Sequence, residues 1–92
     1  MTIIVIQDVA GMTTEMADGM VQAGVADQLK AAAGFRHHVS GPTEAGYRVI
    51  EMWESRDAFQ AWFDGTIKPN LPPNVKVTDL VFLDAYLEVR PG

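Results

Sequence analysis

The stretch from Gly34 to Trp62 constrains the fold of this chain more than any other part of the sequence. It contains two β-compatible runs, Phe35 to Ser40 and Tyr47 to Glu54, and the residues between them open with Gly-Pro and close with Gly. Ser55 then stands where a helix N-cap is favoured, ahead of apolar residues at helical spacing. We therefore predict a β-hairpin that leads directly into an amphipathic helix with a buried apolar stripe.

The N-terminal part of the chain predicts a strand followed by a broken helix. Thr2 to Val9 is rich in Ile and Val and too short for a stable helix, so we interpret it as the first strand. A helix is predicted to begin between Met12 and Glu15, where a threonine hydroxyl can accept from the first-turn amides. Gly24 is expected to end this helix, which leaves Val25 to Ala33 as a second helical piece.

The C-terminal part alternates between apolar and polar residues over an unusual length. Apolar residues recur at every second position from Val75 to Val89, with Asp79 as the exception. At about 3.3 Å per residue such a strand would extend roughly 50 Å, whereas a typical strand has about five or six residues. We therefore expect either a bend at Asp79 or an end that reaches onto the sheet of a second subunit.

The resulting order is strand, helix, strand, strand, helix, strand, in one domain that spans residues 1–92. This is the split βαβ, ferredoxin-like arrangement of the α+β class, with an antiparallel four-stranded sheet and helices on one face. The other face then requires a cover. A homodimer that packs two such faces together would enclose a barrel-like cavity for a small-molecule ligand.

Composition excludes several classes of function. The net charge of −5 and the pI near 4.7 disfavour nucleic acid and anionic membranes as partners. No segment approaches the roughly 18 apolar residues that a membrane span needs. The absence of cysteine removes disulfides and thiolate chemistry and fits a cytoplasmic protein. Nucleotide cofactors and serine hydrolysis have no support, because the sequence lacks a phosphate-binding glycine loop and a nucleophile elbow.

Three segments resemble the small dimeric α/β-barrel proteins grouped with antibiotic biosynthesis monooxygenases. They are GMTTEM, GFRHHVSGPTEAGYRVIEMWESRDAF and IKPNL, and the likeness covers about residues 3–71. The resemblance implies a homodimer with one cavity per subunit. It leaves the reaction open, because the superfamily includes cofactor-free oxygenases of aromatic polyketides, cyclases, isomerases and haem-degrading enzymes.

This chain departs from the relatives at several positions. Arg36 and His37 stand where apolar residues are usual, and no histidine follows the central hairpin to match the Asn, Trp and His set of the haem-degrading branch. We therefore predict that the protein needs no cofactor. A metal site is not expected either, because adjacent histidines on a strand point to opposite faces.

A hairpin centred between Thr43 and Glu44 would place Arg36 opposite Glu51, and it divides the stretch into two faces. The face expected to meet the cavity carries Arg36, His38, Ser40, Tyr47, Glu51 and Trp53. The face expected to meet the helices carries Phe35, Val39, Ile50 and Met52.

Two residues of the first face are candidates for catalysis: His38 as a proton acceptor and Glu51 as its orienting partner or a second base. The candidate substrate-binding residues are Arg36, Tyr47, Trp53 and Tyr86, and for Tyr86 an interface role competes. We predict that a small apolar or aromatic, polyketide-like molecule binds here and is oxygenated without a cofactor.

Three alternatives remain open at this point. The protein could be an isomerase or cyclase on the same scaffold, a non-catalytic ligand-binding or accessory barrel, or a dimer whose barrel is filled by side chains. Arg36 and Glu51 could also form a simple cross-strand ion pair, worth about 0.2–1 kcal/mol. Trp62 and Phe63 are expected to belong to the core, and a place for Asp8 in the pocket is open.

Overall fold

A computed structural model describes all residues from Met1 to Gly92 as a four-stranded sheet with helices on one face. The strands are β1 (Ile3–Ala10), β2 (Phe35–Thr43), β3 (Gly46–Trp53) and β4 (Lys76–Asp84). The helices are α1 (Thr14–Gln22), α2 (Val25–Ala31) and α3 (Arg56–Trp62), and α3 continues as a π turn (Phe63–Ile67) and a 3-10 turn (Lys68–Asn70). The sheet order is β2-β3-β1-β4 with every neighbouring pair antiparallel, which confirms the ferredoxin-like α+β fold.

Two side-chain caps and one glycine set the helix boundaries that the sequence predicts. The Thr13 hydroxyl accepts from the Met16 amide at 3.1 Å and begins α1, and the Ser55 hydroxyl does the same for the Ala58 amide at 3.1 Å and begins α3. Gly24 separates α1 from α2 with a φ of 95°, a left-handed conformation that glycine adopts without steric cost.

The core lies between the helices and one face of the sheet. Along β1 the inward positions are buried and the outward ones half-buried, as alternation requires. Trp53 is completely buried at the centre of an aromatic cluster, with its ring centroid 5.5 Å from that of Phe35 and 6.0 Å from that of Phe59. The other buried members of this cluster are Ile3, Val5, Leu29, Trp62 and Phe63.

The turn between β2 and β3 is centred one residue later than the sequence suggests, which changes the pairing register of the two strands by two residues. The turn is Glu44-Ala45, and Gly41-Pro42 belongs to β2 rather than to the loop. Pro42 is tolerated because β2 is an edge strand, where an amide that faces away from the sheet needs no partner. A register shift of two residues keeps His38, Tyr47 and Glu51 together on one side of the hairpin, but it pairs His38 with Glu51.

A bulge changes the start of β2. Phe35 lies opposite Trp53 and His37 opposite Met52, so Arg36 is the extra residue. The bulge brings Phe35 onto the same side as Trp53. The predicted pairing of Arg36 with Glu51 is wrong, because the register shift places His38 opposite Glu51.

The assignment of the two sheet faces is the opposite of the prediction. The helices cover the face of His38, Tyr47, Glu51 and Trp53, because the side chains of α3 pack on the Trp53 ring. Val39 is 49% exposed, and Ile50 and Met52 share its side of the sheet. Of the residues predicted to face the helices, only Phe35 does so.

The face without helices, which we call the open face, is apolar. It carries Ile4, Ile6, Val39, Ile50, Met52, Val81 and Leu83. At one end of this face Arg48 donates from Nε to Asp8 at 2.7 Å, and this hydrogen bond together with the Asp8 charge raises the pKa of Arg48. Asp8 therefore lies away from the helix-covered side.

The last strand is shorter than its alternating sequence. Asp79 pairs with Asp8 while Val77 pairs with Val9, so a bulge at Thr78 bends β4 next to the residue that interrupts the pattern. β4 ends at Asp84, and residues 85–92 form no regular structure. Tyr86 is fully exposed in this tail. No helix of the protein has the length and apolarity to cross a membrane.

Replacement of Gly11 by alanine is expected to destabilise the fold by about 2 kcal/mol or more. Gly11 has a φ of 79°, and an added Cβ would clash with the carbonyl oxygen of Asn74 in the segment before β4. Gly19→Ala within α1 meets no neighbour and is expected to stabilise by up to about 1 kcal/mol. Denaturant unfolding of both variants checks the pair, and equal midpoints would contradict the close approach at Gly11.

Candidate functional site

A cavity of about 440 Å³ lies on the helix-covered side of the sheet, within a single chain. Fifteen of its 22 lining residues are hydrophobic, and the volume is in the range of small-molecule sites. Helices α1 and α2 form one wall and the central strands form the opposite one. It is a different cavity from the one predicted between two sheets, and it contains the polar candidates because the helices cover the face that carries them.

Five side chains in and beneath this wall are joined by hydrogen bonds, and we call them the polar chain: Trp53, Glu51, His38, Ser40 and Tyr47. Trp53 Nε1 donates to Glu51 Oε1 at 2.9 Å, and Glu51 Oε2 lies 2.7 Å from His38 Nδ1. His38 Nε2 lies 3.0 Å from the Ser40 hydroxyl, which in turn lies 3.0 Å from the Tyr47 hydroxyl.

Strand geometry brings these groups together. His38 and Ser40 are two residues apart on β2, and Tyr47, Glu51 and Trp53 follow the same alternation on β3, so all five side chains leave the sheet on one side. The direct pairing of His38 with Glu51 brings their side chains within reach of each other. Backbone pairing of β2 with β3 sets the spacing of these side chains.

Glu51 is the electrostatic centre of the site. The residue is only 3% exposed, and a buried carboxylate is tolerated where donors satisfy its oxygens. Trp53 satisfies one oxygen and His38 the other. In the neutral imidazole, Nδ1–H donates to Glu51, which leaves Nε2 to accept from the Ser40 hydroxyl.

The structure brings four of the six predicted site residues to the cavity: Arg36, His38, Tyr47 and Glu51. Trp53 lies in the core beneath them and does not line the cavity, because it is completely buried among Phe35, Phe59 and Trp62. Its contribution is the indole N–H that holds Glu51. Tyr86 lies in the exposed tail and does not contact the cavity.

Gln7 is a cavity residue that the sequence reasoning missed. It is 5% exposed, lines the cavity, and takes part in none of the side-chain hydrogen bonds of the protein. The available signal was its position, since it is the polar member of the inward series Ile3, Val5, Gln7 and Val9. Trp62, predicted as core, is both a core residue and part of the cavity wall.

The charged groups near the cavity do not form a metal-binding cluster. No group of three or more histidine or acidic residues with metal-binding geometry occurs in the structure. Arg36 takes part in none of the four ion pairs of the molecule, so its guanidinium at the cavity is not neutralised by a side chain.

No protein family model matches the sequence, and no curated protein matches it. Two solved structures of the haem-degrading protein MhuD (Rv3592) from Mycobacterium tuberculosis are similar in fold. The haem-free form with cleaved protein has 22% identity and a TM-score of 0.61, and the match covers 98% of this chain and 100% of that one. The form with two haems bound in its active site has 20% identity and a TM-score of 0.62, with coverage of 96% and 99%. At this level of identity the likeness shows the fold.

Two substitutions at Glu51 are expected to distinguish the effect of its hydrogen bond to Trp53 from the effect of its charge. Glu51→Leu leaves Trp53 Nε1 without an acceptor in the core and should cost about 1–3 kcal/mol of unfolding free energy. Glu51→Gln keeps a carbonyl oxygen for the indole and should cost less. Denaturant unfolding followed by tryptophan fluorescence measures both variants. A Leu variant as stable as the Gln variant would contradict the role of Glu51 as the acceptor for Trp53.

Proposed function

We propose that the protein binds a small, largely apolar aromatic molecule of the polyketide type in this cavity and oxygenates it without a cofactor. The observation that carries the proposal is a hydrogen-bonded histidine–carboxylate pair in the wall of an apolar cavity. The apolar lining favours a flat hydrophobic body. Two polar groups are available to such a ligand: the unpaired guanidinium of Arg36, suited to a phenolate or enolate oxygen, and the amide of Gln7.

In this proposal His38 accepts a proton from the bound molecule. The ligand takes the place of Ser40 at Nε2, and the Glu51 carboxylate offsets the positive charge that the imidazole gains. Loss of the proton gives an electron-rich carbanion that reacts directly with dioxygen. For an activated methylene the reaction balances as R₂CH₂ + O₂ → R₂C=O + H₂O, with the ligand as the source of electrons.

A non-catalytic ligand-binding role is the second candidate, and one observation favours it. Both ring nitrogens of His38 are engaged inside the protein, by Glu51 and by Ser40. A ligand that leaves the Ser40 bond intact would be held by the cavity without transfer of a proton. An isomerase or cyclase would use the same proton transfer without consuming dioxygen.

Haem is the ligand that the similar structures suggest, because one of them holds two haems in its active site. The apolar cavity suits a flat ring system, but the donor set of this chain fits poorly. Haem proteins usually supply a histidine, cysteine or tyrosine to the iron. Here the chain has no cysteine, and His38 and Tyr47 are engaged in the polar chain, which leaves the exposed His37 as the one histidine or tyrosine of the lining without a side-chain partner. We therefore derive no haem chemistry for it.

We also propose that the protein is a homodimer joined through the open face. This face presents seven apolar side chains, among them Leu83 at 48% and Val39 at 49% exposed. An exposed apolar surface of this kind is typical of an interface between subunits. A second copy of the chain would bury the same residues on both sides of a two-fold axis.

Anthrone, a tricyclic molecule with an activated methylene, is the probe for the oxygenation. The protein is expected to convert it to anthraquinone with uptake of dioxygen, and His38→Ala should reduce the rate by about 10²-fold or more, because it removes the base. His37→Ala is the matched control: this neighbouring histidine also lines the cavity but lies outside the polar chain, so its loss leaves the base in place and should reduce the rate far less than His38→Ala. Oxygen-electrode rates and incorporation of ¹⁸O₂ measure the reaction.

Binding is measured separately, so that an inactive protein still gives an answer. Trp62 lines the cavity, and its fluorescence should be quenched by anthrone with saturation. Ala26→Phe in the α2 wall should abolish that quenching, whereas Ala31→Phe on the same helix, outside the cavity, should not. Saturable binding without oxygen uptake would support the ligand-binding candidate. Absence of both would contradict the aromatic ligand class.

Leu83→Asp on the open face is expected to convert the dimer to monomer, because it places a charge in an apolar contact. Ala45→Asp, at the exposed hairpin turn, is the control and should leave the assembly unchanged. Sedimentation velocity at micromolar concentration measures both. A wild-type protein that sediments as a monomer would contradict the dimer.

A further inference from the structure

Three members of the polar chain, Ser40, His38 and Glu51, have the arrangement of an activated nucleophile, its general base and the group that orients the base. We propose that Ser40 is a nucleophile and that the protein transfers acyl groups from small apolar esters. This activity is distinct from oxygenation and uses an atom, Ser40 Oγ, that the proposed oxygenation displaces from His38. The inference comes from side-chain geometry, since no sequence motif for serine hydrolysis is present.

The distances fit the roles. Ser40 Oγ lies 3.0 Å from His38 Nε2, and His38 Nδ1 lies 2.7 Å from Glu51 Oε2, both within the range expected for a nucleophile–base–acid series. The remaining oxygen of Glu51 is held by Trp53 at 2.9 Å. Glu51 therefore fixes the imidazole with Nε2 directed at Ser40, which is the function of the third group in such a triad.

Tyr47 supplies a donor for the negative charge that develops during acyl transfer. Its hydroxyl lies 3.0 Å from Ser40 Oγ, so it is next to the position that a carbonyl oxygen would occupy after attack by the serine. Rotation of the phenolic O–H directs its proton at that oxygen. A hydroxyl donor of this kind performs the electrostatic part of the reaction.

The surroundings of Ser40 define the substrate class. Ser40 lines the same cavity as Val49 and Tyr47, and most of the lining is hydrophobic. Such a lining suits the acyl chain or aryl group of a hydrophobic ester. Ser40 itself is exposed, so water can reach the acyl group once the leaving group has departed.

The steps balance without an additional reactant other than water. Ser40 Oγ forms a bond to the ester carbonyl carbon as its proton passes to His38 Nε2, and the bond to the leaving alkoxide breaks as that proton passes on to the alkoxide. Water then attacks the acyl-serine, gives its proton to His38, and releases the acid while Ser40 regains its proton. No oxidation or reduction occurs.

A fluorophosphonate probe tests the nucleophile directly, because it reacts with activated serines and leaves ordinary ones unmodified. The chain has only two serines, Ser40 and Ser55, so peptide mass mapping identifies the labelled one without ambiguity. We expect label on Ser40 and none on Ser55, which caps α3 outside the cavity. Ser40→Ala and His38→Ala should abolish labelling, and Thr43→Ala, a hydroxyl on the same strand, should retain it. Failure to label Ser40, or equal label on both serines, would overturn the proposal.

A second measurement is independent of the choice of ester or phosphonate. Ser40→Cys introduces the only thiol in the chain, and pairing with the His38–Glu51 base should accelerate its alkylation by iodoacetamide at pH 6.5 about tenfold relative to Thr43→Cys. The acceleration should be lost when His38→Ala is added, with thermal unfolding used to confirm that each variant is folded. Equal rates at the two positions would show that His38 does not activate position 40, and the proposal would be wrong.

Discussion

The buried carboxylate of Glu51 is the interaction on which the rest of the site depends. A negative charge beneath the helices is tolerable only because Trp53 and His38 each donate to one of its oxygens. That requirement fixes the orientation of the His38 ring, and the ring in turn directs its second nitrogen at Ser40. The aromatic core and the polar chain share one residue, Trp53. Its indole packs against Phe35 and Phe59 and also donates a hydrogen bond to the Glu51 carboxylate.

Much of the fold follows from local patterns in the sequence. The caps at Thr13 and Ser55, the break at Gly24 and the order of strands and helices are all set by short-range physics, and the structure has each of them. The predicted hairpin register differs from the observed one by two residues, because Gly-Pro is a turn signal in most contexts and was placed in the loop. An edge strand is the exception, since Pro42 loses no ladder hydrogen bond there.

Part of the site could also be predicted from local patterns in the sequence. A period of two keeps His38, Tyr47 and Glu51 on one face even when the register changes by two, so their association was predictable. Which face the helices cover was not, because both faces of the hairpin carry large apolar residues and only packing in three dimensions chooses between Trp53 and Ile50. The bulge at Arg36 likewise cannot be predicted from the alternation of polar and apolar residues. Gln7 was overlooked because a single polar residue does not change the prediction of an Ile- and Val-rich strand.

The fold and the chemistry of this protein are separable. The MhuD structures share the fold over almost the whole chain at 20–22% identity, a level at which side chains in a cavity can differ while the backbone arrangement persists. In this chain a continuous series of hydrogen bonds runs from a buried indole beneath the cavity through a carboxylate, an imidazole and a hydroxyl in the cavity wall to a phenol. Such a series can hold a ligand, accept its proton or activate a serine, and the outcome depends on which group displaces or retains the Ser40 hydroxyl at His38. The bond between Ser40 and His38 is therefore the point at which the alternative functions of this scaffold diverge.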